Sequence, residues 1–138
     1  MRRLSMVLAL GLLMGVAAGF AGCEAKPKQV DEQGRVLLEG YTVSRYVRVV
    51  RQESDRVEGG LLRIRTDLKN KKKENLWVDI QVVWKDAKGF EVYKTNWAPL
   101  MLAARYVTTH EIVSMQPDVA DYEFRIREPA KELEKPGR

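Results

Sequence analysis

The chain has 138 residues and a net charge of +5; 31% of its residues are charged and 45% are hydrophobic. It contains one cysteine and one histidine. These counts exclude a disulfide within the chain, a Cys/His cluster, and any metal or catalytic site that needs two imidazoles. A chain of this size is expected to form one domain around a single core.

The N-terminus carries an apolar segment with the features of a secretory signal peptide. Arg2 and Arg3 precede the apolar stretch Leu4–Phe20, and Ala21 and Gly22 follow it. A basic start, an apolar core and small residues before the cleavage site define such a peptide. Two alternatives stay open. The stretch is near the lower length limit of about 17 residues for an uncleaved membrane helix, and Cys23 could be an incidental thiol after an ordinary signal peptide.

The sequence Phe20-Ala21-Gly22-Cys23 resembles the lipobox of bacterial lipoproteins. The resemblance implies cleavage between Gly22 and Cys23, which removes residues 1–22 as a lipoprotein signal peptide. It also implies that Cys23 carries diacylglycerol on its sulfur and an acyl chain, such as palmitate, on its new amino group. The only cysteine lies at the one position that this modification requires. Several acyl chains form a stable membrane anchor, whereas one chain alone does not.

The residue after the cysteine bears on the choice of membrane. In enteric-type Gram-negative bacteria, an Asp at this position tends to retain lipoproteins in the inner membrane. This chain has Glu24 there. By that resemblance we predict attachment to the outer membrane, facing the periplasm, with the outer leaflet of the inner membrane as the alternative.

Removal of residues 1–22 leaves 116 residues, and the loss of Arg2 and Arg3 lowers the side-chain charge from +5 to +3. Residues 23–34 comprise the acylated Cys23 and a polar stretch that we interpret as a flexible tether. Residues 35–127 are predicted to form the folded domain, and residues 128–138 a loose C-terminal tail. The mixed charges indicate a solvated surface, and we expect no nucleic-acid partner and no cofactor.

Alternating apolar and polar residues predict antiparallel strands in the domain. Leu61–Lys69 and Leu76–Lys85 each place apolar side chains on one face and polar side chains on the other. The connection 70–75 has the length of a hairpin loop, and Asp86 and Gly89 suit a type I turn before a strand at Phe90–Lys94. Strands are also predicted at 41–51, 100–102, 106–115 and 122–127, with a loop at 52–60 and a break in the pattern at 95–99.

Six or seven short strands between turns predict an all-β domain, and an immunoglobulin-like antiparallel β-sandwich fits best. A small β-barrel is the alternative. Three paired strands with alternating faces leave an apolar surface that a second sheet must cover. Trp84 and Trp97 are predicted to lie in that core.

Several segments resemble the YcfL-like family of small Gram-negative periplasmic lipoproteins. They are Gly60-Leu61-Leu62 leading into Leu68-Lys69-Asn70, the stretch Val83-Trp84-Lys85-Asp86-Ala87-Lys88-Gly89-Phe90-Glu91-Val92, then Trp97-Ala98-Pro99-Leu100, and the closing segment 117–127. The resemblance spans about residues 43–127. It implies an immunoglobulin-like sandwich and an envelope location, and it brings no catalytic residues because the molecular function of this family is not established.

Few residues in the domain suggest a site. Trp77 shares the polar face of its strand, and Tyr93 is predicted to join it on the next strand in an exposed aromatic surface for a partner. The alternative is that a loop or the C-terminal tail covers this face, since Trp is rarely exposed. Arg63 and Arg65 are predicted to extend this surface, within a basic strip of neighbouring strands (Arg45, Arg48, Arg51, Arg63 and Arg65). Exposed strand arginines also serve to protect sheet edges and to keep proteins soluble.

The catalytic candidates are weaker. His110 is predicted to be an ordinary strand side chain. Asp79, Asp86 and Glu91 lie near one predicted hairpin, but a solvated strand face and a turn cap explain them without catalysis. We therefore expect no enzyme and no metal site. The main hypothesis is a lipid-anchored module that binds an envelope protein or a cell-wall component. The alternatives are an envelope-glycan hydrolase with a carboxylate pair, and a structural lipoprotein without a discrete ligand.

Overall fold

The computed structural model describes residues 29–30 and 35–130, which contain nine strands and one short α-helix. The elements are β1 (Gln29–Val30), β2 (Val36–Glu39), α1 (Tyr41–Tyr46), β3 (Val47–Arg56), β4 (Leu62–Asn70), β5 (Leu76–Lys85), β6 (Glu91–Lys94), β7 (Ala98–Leu102), β8 (Val107–Val113) and β9 (Asp121–Arg127). A short 3₁₀ turn at Glu58–Gly60 precedes β4.

The described strands form two sheets, so the predicted β-sandwich is confirmed and no closed barrel is formed. The large sheet has six strands in the order β1-β2-β9-β5-β6, with β7 also paired to β5, and the small sheet has the order β3-β4-β8. One pairing differs from the predicted antiparallel arrangement. Strand β2 runs parallel to β9, with Val36 opposite Phe124.

The alternation in β4 and β5 places the core as the sequence predicted. Ile64 and Leu68 of β4 and Val78 of β5 are fully buried, and Trp84 of β5 lies in the same cluster. Alternate side chains of a strand point to opposite faces, so these residues face each other across the sandwich. The connection between the two strands is not a hairpin, because β4 and β5 belong to different sheets.

A buried asparagine fixes this crossing from one sheet to the other. Asn70 is fully buried, and its Nδ2 donates to the carbonyl oxygens of Glu74, at 2.8 Å, and of Leu102, at 3.0 Å. Its Oδ1 accepts a hydrogen bond from the Lys72 N–H at 2.8 Å. The side chain thus hydrogen-bonds backbone groups of the connection 71–75 and of β7, and its own buried polar atoms are satisfied.

The predicted strand at 41–51 is wrong in its first half, where α1 replaces it. Its residues have β propensity, but the helix buries Val43 completely at one end of the core. Tertiary burial overrides local propensity here. Gly40 precedes the helix at φ 95°, a backbone conformation that residues with a Cβ atom rarely adopt. Strand β3 then runs through Arg56, so most of the loop predicted at 52–60 is strand.

Strands β6 and β7 lie end to end along the same edge of β5. Strand β6 pairs with residues 83–85 and β7 with residues 76–80. Between them, Thr95 N donates to the Val82 carbonyl at 2.9 Å, and Val82 N donates to Thr95 Oγ1 at 3.0 Å. The predicted break at 95–99 is therefore an interruption of one edge strand, and it releases residues 96 and 97 from the ladder.

Contacts with residues outside the predicted domain 35–127 are formed at both of its ends. Gln29 and Val30, inside the predicted tether 23–34, pair with Leu38 and Leu37 of β2. At the other end, Glu128 Oε1 accepts a hydrogen bond from Thr42 N at 2.7 Å, and Ala130 N donates to Asp79 Oδ2 at 3.3 Å. The predicted signal peptide and residues 131–138 of the predicted tail lie outside the described residues, as do Gly22, Cys23 and Glu24.

Candidate interaction surfaces

An exposed apolar pair lies on the outer face of the large sheet. Trp77 of β5 is 55% exposed, and Met101 of β7, directly opposite it in the antiparallel register, is 41% exposed. Side chains opposite each other on neighbouring strands are in contact range. We call this pair, together with Asp79, Trp97 and Arg127 beside it, the Trp77 surface.

Charged and aromatic side chains border the pair along the sheet. Asp79 and Arg127 are opposite each other on β5 and β9, and Arg127 Nη2 lies 3.5 Å from Asp79 Oδ2. The Arg127 guanidinium also lies 3.9 Å from the centre of the Trp97 ring, which is close for a cation–π contact. The predicted core position of Trp97 is therefore wrong. The interruption at Thr95 lets this half-buried ring cover the outer face of the sheet instead.

Tyr93 lies on the other face of the large sheet from Trp77. It is opposite Trp84 in the β5–β6 register, and the two ring centres are 6.1 Å apart. Tyr93 packs against the core cluster, and its hydroxyl accepts a hydrogen bond from Met115 N at 2.5 Å. A register shift between Trp84 and Lys85 changes the alternation that the sequence pattern assumed. The predicted surface that joins Trp77 to Tyr93 is not formed.

Arg63 and Arg65 lie on the outer face of the small sheet, not beside Trp77, and both are paired with carboxylates. Arg63 makes two hydrogen bonds to Asp55, at 2.9 and 2.5 Å, and Arg65 makes two to Glu111, at 3.1 and 2.7 Å. Hydrogen bonding from Arg63 lowers the pKa of Asp55. Exposed pairs of this kind contribute little to stability, but they neutralise the predicted basic strip at these positions.

Arg51 forms a similar ion pair on the same face of the small sheet, with Asp67, which is opposite it on β4. Its Nε donates to Asp67 Oδ2 at 2.9 Å, and Thr109 Oγ1 donates to Asp67 Oδ1 at 2.6 Å. The hydrogen bond from Thr109 is the main reason that the pKa of Asp67 is lowered, and the Arg51 contact adds to it. Of the five predicted strip residues, only Arg45 and Arg48 have no carboxylate partner among the described residues.

A polar row inside the sandwich was not predicted as a unit. Gln52, Thr66 and His110 are opposite one another on β3, β4 and β8, and all three positions face the interior. Gln52 Nε2 donates to Thr66 Oγ1 at 3.2 Å. His110 lies 5.6 Å from the Phe124 ring between ring centres, and its buried Nδ1 has no partner. Burial lowers the pKa of His110. Single alternating strands gave no signal for this row, because its members come from three strands.

The three carboxylates considered for catalysis each have a separate local contact. Asp86 Oδ1 accepts hydrogen bonds from Lys88 N at 2.9 Å and Phe90 N at 3.0 Å, which caps the predicted turn. Asp79 binds Arg127 and Ala130, and Glu91 lies 4.0 Å from Lys94. Among residues 35–130, no group of three or more His, Cys, Asp or Glu is arranged to hold a metal ion. No helix in the described part of the chain is long and apolar enough to cross a membrane.

The family assignment follows from the whole domain. A family model described as "Protein of unknown function (DUF1425)" matches residues 34–128, and the chain belongs to this family. The match begins one residue before the predicted domain and includes all of it.

Two crystal structures share the fold. One is a DUF1425 family member from Shewanella sp. pv-4, with 22% identity and a TM-score of 0.55, and the match covers 62% of this chain and 81% of that chain. The other is Campylobacter jejuni cj0090, with 15% identity and a TM-score of 0.53, covering 59% of this chain and 85% of that chain. No curated protein matches this chain.

Proposed function

We propose that this protein is a YcfL-like lipoprotein, anchored through acylated Cys23, that works without catalysis as a binding module of the bacterial envelope. In this proposal the anchor lies in the outer membrane and the domain faces the periplasm, where the Trp77 surface docks an envelope protein. The exposed Trp77–Met101 pair is the observation that carries the docking part of the proposal.

The chemistry of the Trp77 surface favours a protein partner. Tryptophan dominates many protein interfaces because it buries a large apolar area and can still hydrogen-bond through its indole N–H. Here it has an apolar neighbour, Met101, and a charged border formed by Asp79 and Arg127. An apolar centre with a polar rim is the usual arrangement of a protein interface.

The proposed absence of catalysis rests on how the carboxylates are used. A glycosidase needs two carboxyl groups about 5–9.5 Å apart across a substrate cleft, one of them protonated. Asp79 is held by an arginine and a backbone N–H, and Asp86 caps a turn. Each of these carboxylates thus has a local structural role, as an ion-pair partner or a turn cap, that needs no catalysis.

Site-specific photo-crosslinking in the native envelope tests the docking part. A photoreactive phenylalanine analogue replaces Trp77 in one variant and Phe90 in a matched control, since Phe90 is an aromatic with 68% exposure in a turn at the other end of β5. We expect one discrete protein adduct from position 77 and none from position 90. The adduct from position 77 should weaken when Met101 is changed to Ala, because that removes the apolar neighbour.

Three outcomes would contradict the docking proposal. The first is the same adducts from positions 77 and 90. The second is crosslinks from position 77 to lipid alone, and the third is an adduct that Met101→Ala leaves unchanged.

The glycan-hydrolase alternative is tested separately. The purified protein should release no soluble fragments from peptidoglycan, and release that Glu91→Gln abolishes would contradict a module without catalysis.

A further inference from the structure

Cations without a carboxylate partner are concentrated at one end of the sandwich. Among residues 35–130, ion pairs engage the arginines at 35, 51, 63, 65, 125 and 127 and the lysines at 85 and 94. The cations without such a partner are mostly at the end where α1 and the connections 71–75 and 103–106 meet: Arg45, Arg48, Lys69, Lys71, Lys72, Lys73 and Arg105. We call this group the basic end.

Backbone contacts hold the three segments of the basic end together. Lys71 N donates to the Tyr46 carbonyl at 2.8 Å, and Arg105 N donates to the Lys72 carbonyl at 3.1 Å. The Lys69 ammonium also donates to the Arg105 carbonyl, and Lys69 is opposite Arg48 in the β3–β4 register. Arg48 and Lys69 thus place like charges opposite each other without a carboxylate between them, and this arrangement destabilises a strand pair.

Tyrosines lie among these cations. Tyr106 is 72% exposed and Tyr41 is 62% exposed. The Arg45 guanidinium lies 5.5 Å from the centres of both the Tyr41 and Tyr46 rings, and Lys72 Nζ lies 5.2 Å from the centre of the Tyr46 ring. Lysine, arginine and tyrosine are the side chains found where a protein meets lipid headgroups, because each has an apolar body and a polar tip.

The opposite end of the sandwich has a different charge. It consists of the connections 57–61, 86–90 and 114–120 with the adjoining end of β3, and it contains the cations Arg56 and Lys88 and the acids Glu58, Asp86 and Asp118. The basic end also contains acids, at Glu39, Glu74 and Glu128, but Glu128 accepts a hydrogen bond from Thr42 N. Cations outnumber acids at the basic end alone, so the domain is electrically polarised along its strands.

Strand β1 begins on the side of the basic end. Strand β1 is antiparallel to β2, and Gln29 is opposite Leu38, one residue before the end of β2 that leads into α1. Gln29 is thus nearer to the basic end than Val30 is. Cys23 precedes Gln29 by six residues, which span at most about 20 Å when extended. An anchor at Cys23 would therefore hold the basic end, not the acidic end, close to the membrane.

We propose that the basic end binds the anionic phospholipid headgroups of the membrane in which the chain is anchored. This inference rests on the proposed membrane attachment. A cluster of cations beside a lipid anchor is attracted to an anionic leaflet, and the attraction extends about one Debye length from the surface. Contact at this end would orient the strands roughly perpendicular to the membrane. The Trp77 surface would then lie close to the membrane, because Trp77 is the second residue of β5.

Lysine acylation of the full chain in lipid nanodiscs tests the proposal. One set of discs contains phosphatidylcholine alone, and the other also contains phosphatidylglycerol. We expect labelling of Lys71, Lys72 and Lys73 to fall about fivefold in the anionic discs at low salt and to recover at high salt. Lys88, at the opposite end, is the internal control and should be labelled equally in both. Equal labelling of the three lysines in both discs would overturn the proposal.

Two double variants with the same change in net charge provide the matched comparison. Arg45→Gln with Arg105→Gln should abolish most of the protection, whereas Arg63→Gln with Arg65→Gln, on the small sheet, should leave it intact. Equal effects of the two pairs would contradict a local binding surface. The full chain keeps the apolar segment Leu4–Phe20, which we expect to hold it in the disc even when Cys23 is not acylated. Failure of the lipoprotein proposal and failure of this one are therefore distinguishable.

Discussion

The Arg127 guanidinium lies 3.9 Å from the centre of the Trp97 ring, on the outer face of the large sheet. The same arginine lies 3.5 Å from Asp79, so one side chain joins an aromatic ring to a carboxylate that is mostly shielded from water. This contact fixes the border of the Trp77 surface, because it holds the chain at residue 97 against β9.

Replacement of Arg127 by Ala should lower the free energy of unfolding by about 1–2 kcal/mol, since the ring contact and the partner of Asp79 are both lost. Urea denaturation measures this change. Arg127→Lys should recover less than half of it, because an ammonium cannot stack as a planar guanidinium does. Arg48→Ala is the control and should change stability by less than about 0.5 kcal/mol. Full recovery with lysine would contradict the stacking account.

A matched pair of phenylalanines tests the position of the core. Phe124 is fully buried against His110, whereas Phe90 is 68% exposed in the turn after Asp86. Phe124→Ala should lower the free energy of unfolding by about 3–5 kcal/mol through lost burial and the cavity left behind. Phe90→Ala should change it by less than about 0.5 kcal/mol. Similar losses for both would contradict the packing of β9 between β2 and β5.

Stability should depend on pH through His110. Burial lowers the pKa of His110 below its ordinary value of 6.5, so the fold disfavours the protonated imidazole. Its contribution is therefore complete above the unfolded pKa and is lost as the pH falls through 6.5 toward the folded pKa. Stability should fall between about pH 7 and about pH 5, a window in which histidine is the main side chain to titrate.

The variant His110→Gln isolates this effect, because His110 is the only histidine in the chain. Its stability should be nearly constant over the same pH range, even if its stability at neutral pH is lower. The carboxylates with lowered pKa values, Asp55, Asp67 and Glu123, affect stability only at more acidic pH. An equal pH dependence in the wild type and the variant would show that His110 is not the cause.

The sequence pattern predicted correctly which face of a strand is buried, but it did not predict which strands pair with each other. Alternation in β4 and β5 correctly placed Ile64, Leu68 and Trp84 in the core, because facing depends only on the local two-residue period. The sheet to which a strand belongs depends on distant contacts. The six residues 70–75 have the length of a hairpin loop, yet the buried amide of Asn70 makes them a crossing between sheets.

The candidate surfaces show the same limit. Trp77 lies on the outer face of its strand, and Asp86 caps its turn, as their local patterns predicted. Tyr93 and Trp97 each lie on the face opposite to the one predicted, because a register shift beside Trp84 and the interruption at Thr95 reset the alternation. The sequence could not predict that the cations of the basic end lie together, because they come from three segments far apart in the sequence.

The proposed function requires that Cys23 is acylated and anchors the domain. Metabolic labelling with palmitate in the native host tests this by comparing the wild type with Cys23→Ser. The wild type should incorporate the label and lose residues 1–22. The variant should remain unlabelled and keep the full length of its precursor. A variant that is shortened normally, or that incorporates palmitate as the wild type does, would show that Cys23 is not the acylated anchor.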